Sequence, residues 1–327
     1  MEKNARFLSC DWGTSSFRLK LVETSGLKIM AEVDSDEGIA HTFQLWKQSG
    51  KDKKYRIPFY FSIIQNNLKK IEQSLDISLD ELPLVISGMA SSTIGMAELP
   101  YKEFPFSVDG SDLKTKVIAG SDEFRHNTLL ISGAKFRNDV MRGEETQLLG
   151  CMADDHPKSE QMFIHPGTHC KHIEIKAGKA VAFKTYMTGE FFSLLTKRSI
   201  LSDSLKKSGQ LHSLKNLHSF KKGVIVGSKA NLLHQCFMVR TNHLFKELSL
   251  VENYYYLSGL LIGYELNDFP EKYSKPICLS GEAILMEHYL EAMKLLGISE
   301  RAASVSTKNA DLLTLKGQMQ ILHLLNK

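Results

Sequence analysis

The chain has 327 residues, which at roughly 150 per domain predicts two domains, each able to bury its own core. Lys and Arg number 41 against 37 Asp and Glu, and the net charge of only +4 is too small for a nucleic-acid binder driven by bulk charge. With 43% hydrophobic and 24% charged residues, the composition is globular, neither disordered, collagenous nor membrane-spanning.

Five cysteines (Cys10, Cys151, Cys170, Cys236, Cys278) are scattered and include no C-x-x-C pair, a pattern that fits a reducing compartment better than a disulfide framework. The residues ahead of Asp11 are too few and too polar for a signal peptide or an anchor. A cytoplasmic protein is expected, with neither membrane nor nucleic acid as partner.

In chain order, the apolar run 7–10 predicts a short strand, followed by the polar, Gly-containing turn 11–16. Phe17, Leu19 and Leu21 alternate with Arg18 and Lys20, a half-buried strand. Ser25-Gly26 turns the chain into a third strand over 28–33. Ile63, Ile64, Leu68, Ile71 and Leu75 have helical spacing, 82–86 is a buried strand running into Ser87-Gly88, and 128–131 is another. Residues 144–152 form a helix beginning beside Gly143.

The second half repeats this order: strand 162–164, turn 165–170, strand with Ile173 and Ile175, turn Ala177-Gly178, strand 180–183. At an offset of 154, Gly13-Thr14 falls on Gly167-Thr168, and Leu19 and Leu21 fall on Ile173 and Ile175. A duplicated unit is therefore expected. Residues 277–282 form a strand running into a helix over 283–296, with Gly297 placed as its C-cap. No Pro- or Ser-rich linker separates the halves.

The loop Asp-x-Gly-Thr-Ser-Ser suits a phosphate. Gly13 permits close approach, and successive N–H groups with the hydroxyls of Thr14, Ser15 and Ser16 can wrap its oxygens. A carboxylate at Asp11 would repel phosphate unless a cation lay between, so Mg²⁺ is its natural partner. The same residues also make an ordinary hairpin turn. A second Gly-Thr hairpin at Gly167-Thr168 turns the balance toward a polyphosphate clamp.

The segment 11–18, with Asp11, Gly13 and Thr14, resembles the first phosphate loop of the actin, sugar-kinase and heat-shock ATPase superfamily. Four further segments, 86–89, 140–147, 166–171 and 183–190, resemble the 2-dehydro-3-deoxygalactonokinase family in the same order, and 279–283 matches further on. The resemblance implies an α/β fold of two similar ribonuclease H-like (actin-like ATPase) domains with a nucleotide cleft between them. It divides them as 1–155, with the first phosphate loop and sugar-acid site, and 156–327, with the second phosphate loop and adenosine site. It also implies ATP and Mg²⁺ as cofactors, and phosphorylation of the 6-hydroxyl of 2-dehydro-3-deoxygalactonate, a small-molecule substrate. Gly167, Thr168 and His169 would then grip phosphate, and Gly281 would let the backbone approach adenosine or simply turn strand into helix. Homodimerisation is left open.

Phosphoryl transfer needs positioning, charge cancellation and a group to take the alcohol proton. Glu144 and Glu145, at a helix start, are the acidic candidates, because the helix dipole favours an ionised carboxylate there. Glu145 shares a face with Met141, Leu148, Leu149 and Met152 and points inward, so it is expected to be the base, with Asp11 on the metal side. Many relatives carry a catalytic Asp near the second phosphate loop. Here those positions hold His165, His169, Cys170 and Lys171. The acid's carboxylate calls for a cation or an N–H nest, and Arg142 with the loop carrying Ser87, Gly88, Met89 and Ser91 is expected to supply it. Arg142 pairing with Glu145 or Glu282 is the structural alternative.

The cluster His165, His169, Cys170 and His172 lacks the second ligand segment of a zinc site. The basic stretch 206–222 has one aromatic, Phe220, and reads as a solvated surface. The apolar run 254–263 is too short to span a membrane and predicts a buried helix with small Gly contacts. A phosphohydrolase and a non-catalytic ATP-dependent switch are the rival functions within the superfamily.

Overall fold

The computed structural model describes residues 5–153 and 160–325, in two compact units. In the first, β1 (Arg6–Trp12), β2 (Phe17–Glu23) and β3 (Lys28–Ser35) precede α1 (Ile39–Gln48) and α2 (Arg56–Leu75). Then come β4 (Leu84–Gly88), β5 (Lys102–Glu103), β6 (Phe106–Ser107), β7 (Thr115–Ile118), β8 (Thr128–Ile131), β9 (Ala134–Phe136), β10 (Asp139–Met141) and α3 (Glu144–Met152). The second unit is built from β11 (Gln161–His165), β12 (Cys170–Lys176), β13 (Lys179–Tyr186), α4 (Thr188–Arg198), α5 (Leu214–Gly227), α6 (Leu232–Leu244) and α7 (Leu250–Leu266). It closes with β14 (Ile277–Gly281), α8 (Ala283–Leu295), α9 (Ile298–Arg301) and β15 (Val305–Asn309). The last helix, α10 (Ala310–Leu325), groups with the first unit, as does Lys176–Ala182.

The first sheet runs β3-β2-β1-β4-β8-β7, with β1 antiparallel to β2 and parallel to β4, and β4 parallel to β8. In the second unit the order β13-β12-β11-β14-β15 repeats this plan. There β11 is antiparallel to β12 and parallel to β14, and β14 is parallel to β15. The shared order is the duplicated unit that the aligned Gly-Thr loops predict, in the α/β fold that the family resemblance implies. The hairpins differ by one residue: Trp12 faces Phe17, but His165 faces Lys171. The offset of 154 therefore holds on β12 and slips by one on β11. Both strands before these turns also run further than predicted, to Trp12 and His165.

Side-chain alternation gives the first sheet two different faces. Leu8, Cys10 and Trp12 enter a core with Tyr60, Ile64, Leu68 and Ile71 of α2, and Trp12 meets Phe17 edge-on at 5.0 Å. Because that apolar stripe begins with Tyr60 and Phe61, α2 starts at Arg56, ahead of the predicted Ile63. Ser9, Asp11, Arg18 and Lys20 fall on the opposite face, beside α10. Helix α10 packs closely on α3: Gly317 lies against the Thr146 backbone, and Gly150 against that of Leu313.

In the second unit, Gly223 and Gly227 of α5 lie on the backbone of Tyr256 and Leu260 in α7, and Gly259 and Gly263 of α7 return the contact to Phe220 and Val224. The run 254–263 is thus the buried helix expected, and no helix among the described residues is long and apolar enough to cross a membrane. Lys206, Lys207, Lys215 and Lys222 are exposed, the solvated surface expected of the basic stretch. Gly297 follows α8 at φ +66°, the left-handed stop its position predicts.

Candidate active site

Two glycines let three segments of the first unit meet. Gly88 ends β4 at φ +86°, and a Cβ there would sit 2.7 Å from the Trp12 carbonyl and 3.3 Å from Asp11 Oδ1. Gly143, at φ +116°, brings the start of α3 to Gly88, where a Cβ would lie 3.5 Å from the Gly88 Cα. Only glycine tolerates both demands. The end of β1 with Asp11, the end of β4 and the glutamates of α3 are thereby placed together. Gln318 of α10 locks two of these ends, donating to the Cys10 carbonyl at 3.0 Å and to Ser87 Oγ at 2.9 Å.

Asp11 sits in a mixed-charge group. Arg18 Nη1 is 3.8 Å from both Asp11 and Asp311, and Lys20 Nζ is 3.3 Å from Asp311. The Asp11 side chain keeps 28% of its surface exposed. Burial pushes its pKa up to about 6, Arg18 pulls it down, and the negative charges of Asp311 and Glu144 push it up again.

The paired glutamates divide sharply. Glu145 is fully buried, and both its oxygens accept the Gly143 N–H, at 2.9 and 2.8 Å. It faces inward as its helical position predicts. Glu144 is half-buried and accepts the Arg142 N–H at 3.0 Å. Burial, then the charge of Glu144, pushes the Glu145 pKa up to about 7.

That shift fixes a pH dependence. The folded pKa lies above the unfolded value of 4.5, so the folded state holds a proton there that the unfolded chain has lost. The contribution is intact below pH 4.5 and disappears as pH rises through about 7. Glu145→Gln, neutral throughout, is expected to gain stability over the wild type between about pH 5 and 8, by about 3 kcal/mol at roughly 1.4 kcal/mol per unit. Urea titrations across that range measure it, and a difference that stays flat contradicts it.

Arg142 sends its guanidinium to Ser91 rather than to Glu145. Nη1 donates to the Ser91 carbonyl at 2.6 Å and to its Oγ at 2.5 Å, while the guanidinium carbon stands 4.2 Å over the Tyr101 ring. Its Nε is buried with no partner among the described residues. Of the other residues expected to meet the sugar acid, Ser87 and Ser91 are buried and used internally, and Met89 is half-buried.

In the first loop, Thr14 and Ser15 are exposed, and Gly13 and Ser16 close the turn through an N–H to O bond of 2.9 Å. The first amides of α1 are spent on this loop, Ile39 N–H on Gly13 and Ala40 N–H on Thr14. In the second unit, Thr168 and His169 are exposed at the tip of the matching hairpin, with His169 Nε2 2.7 Å from Glu190 Oε2. Gly281 is buried at the end of β14, where an added Cβ would lie 3.5 Å from the Pro166 carbonyl in ordinary contact. The sequence pattern pointed to none of Asp311, Tyr101, Gln318 or the buried Glu265. Asp311, Gln318 and Glu265 lie on helices and Tyr101 just ahead of β5, and the partner of each is set only by folding.

The family model for 2-keto-3-deoxy-galactonokinase matches residues 11–321. The 2-dehydro-3-deoxygalactonokinase of Escherichia coli (strain K12) is 27% identical over 308 residues, covering 93% of this chain and 94% of the relative. A Rhizobium meliloti (strain 1021) protein, "Probable 2-dehydro-3-deoxygalactonokinase DgoK1", is 28% identical over 302 residues, 90% of this chain and 91% of its own. A crystal structure named for the same kinase, from Sinorhizobium meliloti, superposes with a TM-score of 0.77 at 26% identity over 97% of this chain and 96% of that one. Both curated relatives and the solved fold thus run the length of the same two units, and the chain belongs to the 2-keto-3-deoxy-galactonokinase family.

Proposed function

We propose that this protein transfers the γ-phosphoryl group of ATP to the 6-hydroxyl of 2-dehydro-3-deoxygalactonate, within the cytoplasm. Family membership supports the kinase chemistry. The single observation that carries the assignment to a site is the meeting of Asp11, Gly88 and Glu144, with the partly exposed Arg142 on the same turn. A guanidinium with exposed surface suits a carboxylate, the group that distinguishes a sugar acid from a sugar.

Mg²⁺ fits the residues around Asp11. Its carboxylate is a partly exposed hard oxygen donor, and beside the cation of Arg18 it also feels the negative charges of Asp311 and Glu144, which favour a divalent cation there. No group of three or more His, Cys, Asp or Glu able to hold a metal occurs among the described residues, so Asp11 would share the ion with phosphate oxygens and water. When bound, the ion supplies charge neutralisation on the phosphates. Residues 13–16 and 167–169 are proposed to hold the phosphate oxygens, and Gly281 to border the adenosine.

For the proton of the attacking hydroxyl, the geometry favours Glu144. It has exposed surface, whereas Glu145 has none and keeps both oxygens on Gly143. Glu145 then holds the turn from which Glu144 acts, and Asp11 serves the metal side.

A coupled ADP-release assay over a panel of sugar acids tests the reading. ADP formation that requires 2-dehydro-3-deoxygalactonate is expected. Phosphate release without an acceptor would make the protein a phosphohydrolase, and nucleotide binding without turnover would make it a switch.

A further inference from the structure

Beneath the second hairpin lies a buried polar chain centred on Glu265, near the end of α7. This carboxylate is 2% exposed and accepts three hydrogen bonds: from His172 Nε2 at 2.8 Å, from the Tyr289 hydroxyl at 2.7 Å and from the Thr188 hydroxyl. Its position is unfavourable in itself. A buried carboxylate loses its hydration, and the carboxyl end of a helix repels negative charge. Replacing such a group with apolar packing is often neutral or stabilising, so stability alone is a poor reason for it. What three donors on one carboxylate do provide is fixed geometry.

Two arms lead from Glu265 to the hairpin tip. Along one, Tyr289 spends its only proton on Glu265, so its oxygen is left to accept from Cys170 Sγ, 3.1 Å away. Cys170 closes the turn, with Sγ 3.5 Å from the Gly167 nitrogen and 3.4 Å from the Gly167 oxygen. Burial and the nearby Glu265 push the thiol pKa up to about 12, so it is a protonated donor. Along the other arm, Thr188 opens α4. Gly189 beside it packs on the backbone of Gly167 and Thr168, and the Glu190 N–H donates to the Thr168 carbonyl at 3.0 Å.

We propose that Glu265 is a positioning residue for the second phosphate loop: it ties the Tyr289–Cys170 arm and the α4 arm to one buried anchor, and so sets where the backbone of residues 167–169 meets the nucleotide phosphates. The proposal rests on the phosphate-binding role given to that loop above. Glu265 itself touches no substrate. Its effect reaches the nucleotide only through the loop, and leaves the sugar acid alone.

The test is calorimetric titration with Mg·ADP, beside steady-state kinetics. Glu265→Gln retains the shape but faces one of the three donors with an N–H₂ group, so ADP affinity and KM for ATP are expected to worsen about tenfold. KM for the sugar acid should stay within about twofold of wild type. Cys170→Ala should follow Glu265→Gln, and Cys170→Ser, which restores a donor and acceptor, should recover most of the affinity. Tyr289→Phe removes one hydroxyl and serves if Glu265→Gln fails to fold. The idea is overturned if these variants bind ADP like the wild type, or if they lose both substrates equally in step with a falling Tm. Because ADP binding needs no acceptor, a wild type that binds ADP without phosphorylating the sugar acid sinks the kinase assignment and leaves the loop anchor standing. A wild type that does not bind ADP sinks both.

Discussion

Glu144→Gln is expected to lower kcat by about 10²- to 10⁴-fold, the range of general-base contributions, with little change in KM for ATP. Glu145→Gln should keep turnover within about tenfold. The two side chains are neighbours on one helix turn, yet their surroundings separate them. A base must reach the proton it takes, and geometry comes before pKa in choosing it. Glu145 has the pKa that suits a base at neutral pH, but no exposed surface, and both its oxygens face the Gly143 N–H. Glu144 has exposed surface and accepts the Arg142 N–H. Steady-state rates of the two amides, at saturating ATP and sugar acid, decide the matter. If Glu145→Gln suffers the greater loss, the proton goes to the buried carboxylate and the turn must open during catalysis. If both amides retain turnover, neither glutamate is the base.

Much of this frame was legible before folding, for identifiable reasons. Residues 144–152 match α3 to the residue, because Gly143 and the acidic pair mark its start and Leu148, Leu149 and Met152 its buried face. Strand β4 was legible as an apolar run, β14 as one ending in Gly, and α8 by the Gly297 stop. The two Gly-Thr hairpins carried the duplication, since a turn's residue types are dictated locally. What could not be seen depends on partners far apart in the chain. Helix α10 buries Leu313, Leu315 and Ile321 as a core helix does, and nothing in its own residues tells that it packs on α3. Strands β5, β6, β9 and β10 have two or three residues each, too few for any period to show.

The site divides along the same line. Loop glycines announce themselves, because a close approach or a positive φ limits the residue type. Asp311, Gln318 and Glu265 are single polar residues within helices, ordinary in sequence and distinctive only once their neighbours arrive. Asp311 faces Arg18 and Lys20 from the opposite end of the chain, and Glu265 gathers donors from β12, α4 and α8. Glu145 illustrates the limit from the other side. Its inward orientation followed from helical spacing, but the Gly143 N–H that occupies it follows from the backbone turn at φ +116°.

Arg142→Met is expected to raise KM for the sugar acid about 100-fold or more, leaving KM for ATP within about threefold, since a hydrogen-bonded pair with a charged group contributes roughly 1.5–3 kcal/mol per bond. The guanidinium is held in place before substrate arrives. Ser91 takes Nη1 through two oxygens, and the Tyr101 ring lies 4.2 Å beneath the guanidinium carbon. Gly133 makes room for that stack: a Cβ there would come within 3.0 Å of Tyr101 Cε1 and 3.1 Å of Arg142 Cβ. Such an arm, fixed through Nη1, keeps part of its surface exposed, and a carboxylate that reaches it there costs no side-chain freedom. Arg142→Lys should therefore fail to rescue binding, because a flexible ammonium cannot reproduce the planar fork or the ring stack. Comparing the acid with its carboxamide gives the decisive measurement. The wild type should discriminate strongly between them, and Arg142→Met should barely discriminate at all. Equal discrimination by both proteins would show that the carboxylate binds elsewhere, and that Arg142 serves the fold alone.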